Sequence, residues 1–148
     1  RHMQRRLALT LGAAILTGAL GACSAMAPGP TAQSEMKKVV FQVSEADPKN
    51  WNLALNNLRN VQQAIGKDKV LTELVVYGPG IAMLKAESKV EPRVTQALTD
   101  GVRVVACENT MHAQKLTKAD MIPGIGYVPG GVVELMERQR EGWAYIRP

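Results

Sequence analysis

The thiol of Cys107 is the side chain best suited to chemistry in this sequence, and it lies within the stretch VVACENTM. Val104 and Val105 continue an apolar β-branched run, and polar residues follow the cysteine, so the pattern places Cys107 where a buried strand ends and a helix begins. Unpaired backbone N–H groups at a helix N-terminus favour a thiolate, the form that attacks disulfides and sulfane sulfur. The position therefore makes Cys107 the candidate for a reactive, catalytic thiol.

The alternative for Cys107 is a small apolar residue packed under the following helix, which is common for single cysteines. Glu108 beside it opposes ionisation, so the residue types alone leave the direction of the pKa change open. We expect the helix end and solvent access to prevail, so that Cys107 reacts near neutral pH. A disulfide with Cys23, the other cysteine of the chain, is not expected if Cys23 is acylated or removed.

Other chemistries receive less support. Cys107, Met111, His112 and Met121 could form a soft site for Cu(I), but methionines at helical spacing are typical of a core, so neither a metal site nor a cofactor is predicted. The glycine pairs match no dinucleotide or phosphate-loop pattern, and Gly78-Pro79-Gly80 is interpreted as a turn. Asp120 and Glu134 have no identifiable partner carboxylate, so a hydrolase pair is not predicted.

Strand and helix patterns alternate along the chain. Apolar β-branched runs predict strands at 39–43, 70–77, 102–106, 125–128 and 143–146. Helical spacing predicts helices from Asp47 or Asn50 to Ile65, from about 90 to 98, at 109–115 and from 130–131 to 141, with a loop or single turn at 117–124. On the last helix, Glu134 and Arg138 are expected on a solvated face. This alternation predicts an α/β protein with a mostly parallel sheet covered on both faces.

Ligands of open parallel sheets bind beyond the carboxyl ends of the strands, where several loops converge. Cys107 falls at this edge. The other candidates for a pocket there are residues of the loops that follow the second, third and fourth strands: Asn109, Thr110, Tyr77, Gly78, Pro79, Gly80, Gly130 and Gly131.

The N-terminus has the pattern of an export signal. Arg1 to Met3 are typical of a cloning-vector junction, and a basic pair, an apolar run and Leu20-Gly21-Ala22-Cys23 follow. The last four residues match a bacterial lipobox, in which Cys23 is acylated. Cleavage by an ordinary signal peptidase after Ala25-Met26-Ala27 is the alternative. Residues 27–35 are predicted to be a flexible tether, so residues 1–35 precede one folded domain at 36–148.

Composition supports one globular domain and no nucleic-acid partner. The whole chain of 148 residues carries a formal charge of +5, and from Met36 onward 15 basic residues against 12 acidic ones leave +3. This surplus is spread along the chain without a basic run, which argues against nucleic-acid binding. Aromatic residues make up 4%, so Val, Leu, Ile, Ala and Met must form the core.

Four separated blocks of the sequence carry a resemblance to a known family. FQVSEADPKNWNLALNNLRNVQ, VVYGPGIAML, GVRVVACENTM and VPGGVVELMERQREGWAYIRP resemble the DsrE/DsrF-like family, specifically its small single-domain branch related to YchN. The resemblance covers about residues 36–148. It implies a three-layer α/β/α sandwich with a five-stranded parallel sheet, and homotrimers or homohexamers. It also implies that Cys107, at the loop after the third strand, matches the cysteine that carries persulfide sulfur in the sulfur-relay members.

Three hypotheses for function follow. The first is an exported, periplasmic, lipid-anchored protein in which Cys107 is a sulfur carrier, a sulfurtransferase nucleophile or a redox thiol, with a sulfur donor or acceptor protein as partner. Relay members of the family act in the cytoplasm, so the resemblance does not identify that partner here. The second is a non-catalytic oligomeric module that binds a small anion or a sulfur compound, and the third is a structural assembly protein.

Overall fold

The structure, a computed structural model, describes residues 36–148. The expectations for residues 1–35, namely the vector junction, the signal peptide, the acylated Cys23 and the tether, lie outside the described residues. Within 36–148, no helix is both long enough and apolar enough to span a membrane.

Strands and helices alternate through the described residues. Their bounds are β1 Lys37–Val43, α1 Pro48–Ile65, β2 Val70–Val76, α2 Glu91–Thr99, β3 Arg103–Cys107, α3 Glu108–Ala113, β4 Gly126–Val128, α4 Gly131–Arg140 and β5 Ala144–Ile146. Two 3-10 helices, Gly78–Leu84 and Lys118–Asp120, lie in the connections after β2 and α3. Asp47 caps α1 by accepting a hydrogen bond from the N–H of Lys49 at 2.9 Å, and Gly66 ends the helix.

All five strands are parallel and pair in the order β4-β3-β2-β1-β5. The chain moves across the sheet in one direction from β1 to β4, and then returns over β3, β2 and β1 to place β5 at the other edge. Since right-handed crossovers in one direction put their helices on one face, the returning helix α4 must cover the opposite face. The predicted α/β/α fold with a five-stranded sheet is confirmed.

The two faces of the sheet bury separate apolar clusters. Alternate residues of β1 divide between them: Phe41 belongs to the large cluster under α1 and α2, whereas Val40 belongs to a small cluster with Val75 and with Leu135 of α4. This alternation is the side-chain period of a strand. The α4 face is covered by one ten-residue helix. Cys107 and Glu73 lie on this face of the sheet.

The element bounds differ from the sequence predictions in a few places. The segment predicted as a turn at Gly78-Pro79-Gly80 begins a seven-residue 3-10 helix, because the following Ile81, Met83 and Leu84 are buried in the core and draw the chain against the sheet. Helix α3 begins one residue earlier and ends two residues earlier than predicted. A 3-10 turn occupies the middle of the segment predicted as a loop or single turn.

Candidate functional site

Cys107 is the last residue of β3 and the residue that precedes the first turn of α3. Because side chains alternate along a strand, its thiol lies on the same face as Val105, under the N-terminus of α4. The residue is 5% exposed. The structure thus places the thiol at the predicted edge of the sheet, but enclosed by the two helix N-termini rather than open to solvent.

The pKa of the Cys107 thiol depends on its burial and on polar groups at the start of α3 and α4. Burial is the largest single influence and raises the pKa of the thiol, but the Thr110 hydroxyl and the backbone N–H groups of Gly131, Thr110 and Asn109 act together in the opposite direction. Their combined effect holds the pKa of Cys107 below its ordinary value of 9.0. Because each donor stabilises the anion, the site favours a thiolate.

Thr110 joins the loop after β3 to the loop after β2. Its hydroxyl oxygen accepts a hydrogen bond from the backbone N–H of Gly78 at 2.9 Å. The same hydroxyl group lowers the pKa of the Cys107 thiol. Thr110 therefore links the ionisation of the thiol to the start of the 3-10 helix at 78–84.

Gly131 comes close to the ring of Tyr77 at the start of α4. A Cβ at position 131 would lie 3.0 Å from the Tyr77 Cβ and 3.1 Å from its Cδ1. Only glycine allows the backbone to approach so closely. The missing side chain brings the Gly131 N–H within reach of Cys107.

The remaining candidates fall into two groups. Asn109 donates its backbone N–H to the carbonyl of Pro129 at 3.2 Å, and its amide nitrogen lies beside Gly130, so both belong to the region around the thiol. Gly80 instead packs on the end of β1, where a Cβ would lie 2.8 Å from the Val43 oxygen. Pro79 lies in the first turn of the 3-10 helix between Gly78 and Gly80.

The residues considered for a soft-metal site are separated by the sheet. Met111 and Met121 are buried in the large cluster under α1 and α2, whereas Cys107 lies on the α4 face. Over residues 36–148, no group of three or more His, Cys, Asp or Glu side chains could hold a metal ion. Glu108, expected to oppose ionisation of the thiol, is directed to Lys118, with 3.9 Å between Oε1 and Nζ.

The sequence interpretation missed a cluster of charges around one buried carboxylate on the α4 face. Glu73 of β2 has a side chain with 0% exposure and forms ion pairs with Arg103 and Arg138. Glu134 pairs with the same two arginines, so the prediction that Glu134 and Arg138 lie on a solvated face is wrong. Both face inward because they compensate the charge of Glu73. A charged residue within the apolar strand LTELVV was the available signal.

Two clefts beside α1, α2 and α3 lie away from the thiol. One of about 260 Å³ separates α1 from α2, with Arg59, Arg93 and Asp100 at its rim. The other, of about 270 Å³, lies beside α3 and is lined by residues including His112 and Lys118. Neither is lined by Cys107. The chemistry of the thiol therefore depends on the space between the N-termini of α3 and α4.

The fold and the strand-end thiol define a class: a three-layer α/β protein with a cysteine after the third strand of a parallel sheet. The sequence model of the DsrE/DsrF-like family matches residues 37–148. The chain belongs to the DsrE/DsrF-like family. Among curated proteins, none matches this sequence.

Several solved structures are similar to the chain. A protein of unknown function, MTH1491 from Methanobacterium thermoautotrophicum, is 36% identical with a TM-score of 0.73, covering 76% of this chain and 99% of its own. The conserved protein of unknown function BT1422 from Bacteroides thetaiotaomicron is 14% identical, with a TM-score of 0.62 and coverages of 76% and 95%. The ychN protein from E. coli is 12% identical, with a TM-score of 0.61 and coverages of 76% and 99%. The last two similarities concern the fold alone.

Proposed function

We propose that this chain is a sulfur carrier in which the Cys107 thiolate accepts and releases one sulfane sulfur atom. The observation that carries the proposal is the position of Cys107 at the end of β3 and the start of α3, where neighbouring polar groups hold the pKa of its thiol below the ordinary value. Membership of the DsrE/DsrF-like family supports it, because the resemblance relates Cys107 to the cysteine of the sulfur-relay members.

The transfer is balanced without an added oxidant or reductant. The Cys107 thiolate attacks the outer sulfur of a donor persulfide, R–S–SH, the donor S–S bond breaks, and R–S⁻ leaves as the Cys107 persulfide forms. An acceptor thiolate then attacks the outer sulfur, and the Cys107 thiolate is the leaving group. A thiol with a lowered pKa leaves faster. The donors around Cys107 thus favour release of the sulfur as well as the resting anion.

The two cysteines of the chain allow a matched test of this function. The reduced full-length chain is incubated with inorganic polysulfide, and its intact mass is measured for the Cys23→Ser and the Cys107→Ser variants. We expect the Cys23→Ser protein to gain one sulfur atom and to return it to a small thiol acceptor. Uptake that depends only on Cys23, or reaction of Cys107 only after denaturation, contradicts the proposal.

A non-catalytic binding module is the second candidate, and the 5% exposure of Cys107 is the observation that favours it. The same N–H groups that stabilise a thiolate can bind a small anion beside a neutral thiol. The module predicts binding of sulfide or thiosulfate, seen by calorimetry, that persists in Cys107→Ser and leaves no covalent sulfur. The carrier predicts a covalent adduct that Cys107→Ser abolishes.

We further propose that the chain is exported to the periplasm and is anchored by a lipid on Cys23. The basic pair, the apolar run and the sequence Leu20-Gly21-Ala22-Cys23 support this proposal. Mass spectrometry of the protein from its native membranes provides the test. We expect an N-terminus at a lipid-modified Cys23, and an unmodified chain that begins at Pro28 contradicts the anchor.

A further inference from the structure

Glu73 is a carboxyl group buried in the middle of the sheet. On β2 it lies in register between Val40 of β1 and Arg103 of β3. Its side chain has 0% exposure. A buried carboxylate is costly unless ion pairs and hydrogen bonds compensate it, so its partners determine which protonation state is stable.

Two arginines are shared between Glu73 and a second carboxylate on α4. Arg103 Nη1 lies 3.2 Å from Glu73 Oε2 and 3.0 Å from Glu134 Oε1. Arg138 Nε lies 2.7 Å from Glu73 Oε2, and its Nη2 lies 3.0 Å from Glu134 Oε1. The side chains of Glu134 and Arg138 are less than one-fifth exposed. Two carboxylates thus face each other across the same pair of guanidinium groups.

The cluster is incompletely hydrogen bonded within residues 36–148. Glu73 Oε1 has no hydrogen-bond partner, and the Nε–H of Arg138 is not aligned with an acceptor even though its ion-pair distance to Glu73 is short. A proton on Glu73 would allow it to donate a hydrogen bond to the Glu134 carboxylate, which raises the pKa of Glu73. This arrangement resembles other carboxylate pairs that share one proton.

Charged groups on the other elements around Glu73 act on the cluster from its margin. Glu141, just after α4, accepts from Arg138 at 2.9 Å, and Lys38 of β1 donates to the Glu141 carbonyl at 3.5 Å. The Trp143 ring lies 4.9 Å from the Arg138 guanidinium carbon. Burial raises the pKa of Glu73 to about 7, the Glu134 carboxylate acts in the same direction, and Arg138 opposes them.

Helix α4 connects this cluster to the thiol. Glu134 lies three residues, about one helical turn, after Gly131, whose N–H lowers the pKa of Cys107. The helix contacts β2 and the residue after it at two positions: Gly131 packs on Tyr77, and Glu134 and Arg138 meet at Glu73. A change in the charge of Glu73 therefore acts on helix α4, the same helix that carries the Gly131 N–H.

We propose that Glu73 is a positioning residue for Cys107, and that gain or loss of one proton on Glu73 changes the position of α4 relative to the thiol. Regulation of the thiol in this way rests on the proposed function. Ionised Glu73 repels Glu134, near the N-terminus of α4, and attracts Arg138, near its C-terminus. The helix therefore tilts, and its N-terminal end moves away from the sheet. Protonated Glu73 donates a hydrogen bond to Glu134, so the N-terminal end of α4 moves toward the sheet. The Gly131 N–H then lies closer to the Cys107 sulfur.

The test follows the Gly131 amide in the full-length Cys107→Ser protein, where thiol ionisation at position 107 cannot contribute. The Gly131 amide and the Glu73 carboxyl carbon are titrated by NMR. We expect both to change with a common midpoint near neutral pH. A Glu73 carboxyl that titrates near 4.5, or a Gly131 amide that does not follow it, overturns the proposal whether or not Cys107 carries sulfur.

Variants of the cluster provide the second arm. In the Cys107→Ser background, Glu73→Gln should abolish the change of the Gly131 amide, and Glu134→Gln should move its midpoint to lower pH by removing the neighbouring charge. Glu137→Gln is the matched control, because Glu137 is on α4 but pairs with Arg140. A midpoint in Glu134→Gln equal to that in Glu137→Gln overturns the proposal even if Glu73→Gln does not fold.

Reactivity of the intact thiol completes the test. In Cys23→Ser protein we expect the alkylation rate of Cys107 to follow a pH profile with two inflections, and Glu73→Gln to reduce it to one inflection at lower pH. Loss of sulfur uptake with both inflections retained would refute the carrier function alone. A single inflection in the Cys23→Ser protein that Glu73→Gln leaves in place would refute the role of Glu73 alone.

Discussion

The hydroxyl oxygen of Thr110 accepts the backbone N–H of Gly78 at 2.9 Å, which ties the loop after β3 to the loop after β2. The same hydroxyl lowers the pKa of Cys107. One threonine thus contributes both to the stability of the strand-end loops and to the ionisation of the thiol. These two roles can be separated by choosing substitutions that keep or remove the hydroxyl.

Replacing Thr110 with valine keeps the shape of the side chain and removes its hydrogen bonds. We expect the pKa of Cys107 to rise, and the thiolate fraction at neutral pH to fall by about tenfold if the lost bond to the anion contributes roughly 1.5 kcal/mol. The free energy of unfolding should also fall by about 1–3 kcal/mol, because the Gly78 N–H loses its acceptor. Thiolate absorbance against pH and denaturant titration measure the two effects.

Thr110→Ser is the matched control for this prediction, because it retains the hydroxyl and loses a methyl group. Its pH profile for thiolate formation should stay close to that of the unchanged protein. If Thr110→Val and Thr110→Ser give the same profile, the hydroxyl does not act on Cys107.

A methyl group at position 131 should damage the site. In Gly131→Ala the new Cβ would meet the Tyr77 Cβ at 3.0 Å, so α4 or Tyr77 must move, at a cost of about 1–3 kcal/mol. The shift would withdraw the Gly131 N–H from Cys107 and raise the pKa of the thiol. Alkylation rates and unfolding free energies measure both consequences.

The neighbouring glycine provides the control for this steric effect. In Gly130→Ala the new Cβ would lie 3.5 Å from its nearest contact, which is ordinary packing. The backbone there is extended, with φ at −142°, so an L side chain fits. A larger loss of stability in Gly130→Ala than in Gly131→Ala would contradict the close approach to Tyr77.

The fold was accessible from the sequence because its signals are local. Alternating apolar strands and helical spacing predict the elements one by one, and the rule for strand ends places Cys107 at the correct edge without knowledge of any contact. The charge cluster was not accessible in this way. Glu73 and Arg103 become neighbours only through the register of β2 with β3, and Arg138 reaches them only because α4 crosses back over the sheet.

The 3-10 helix at 78–84 illustrates the same limit on a smaller scale. Gly78-Pro79-Gly80 has the composition of a turn, and no local pattern distinguishes a turn from the start of a short helix. Burial of Ile81 and Leu84 decides the outcome. That burial depends on α2 and β3, which follow later in the chain.

Stability should depend on pH through Glu73. Its pKa in the folded protein, about 7, is above the ordinary value of 4.5, so between these values the folded state binds a proton that the unfolded state lacks. The stabilising contribution is fully present below pH 4.5 and is lost as the pH rises through 7. The difference corresponds to about 3 kcal/mol.

Denaturant titrations from pH 4.5 to 8 measure this effect as the difference in unfolding free energy between the unchanged protein and Glu73→Gln. We expect the difference to move in favour of the unchanged protein as the pH is lowered. A constant difference across the range would show that Glu73 does not change protonation there. Glu137→Gln, which alters an exposed pair with Arg140, controls for a general effect of removing a carboxylate.

The outer surface of α4 supports a proposal about assembly. Val132, Val133 and Met136 are each more than half exposed, and Tyr145 on the same sheet face is 41% exposed. Apolar side chains grouped in this way are typical of an interface between subunits. We propose that a second copy of the chain covers this surface and that the protein forms a homo-oligomer.

Light scattering coupled to size-exclusion chromatography tests the assembly. The monomer has a mass of 16.0 kDa, and we expect a multiple of that value, with dissociation when Val133→Lys and Met136→Lys are combined, because a charge buried without a partner is costly at an interface. Leu53→Lys is the matched control, since Leu53 is 45% exposed but lies on α1, on the other side of the sheet. A monomer at high micromolar concentration, or equal dissociation by Leu53→Lys, would exclude the α4 surface as the interface.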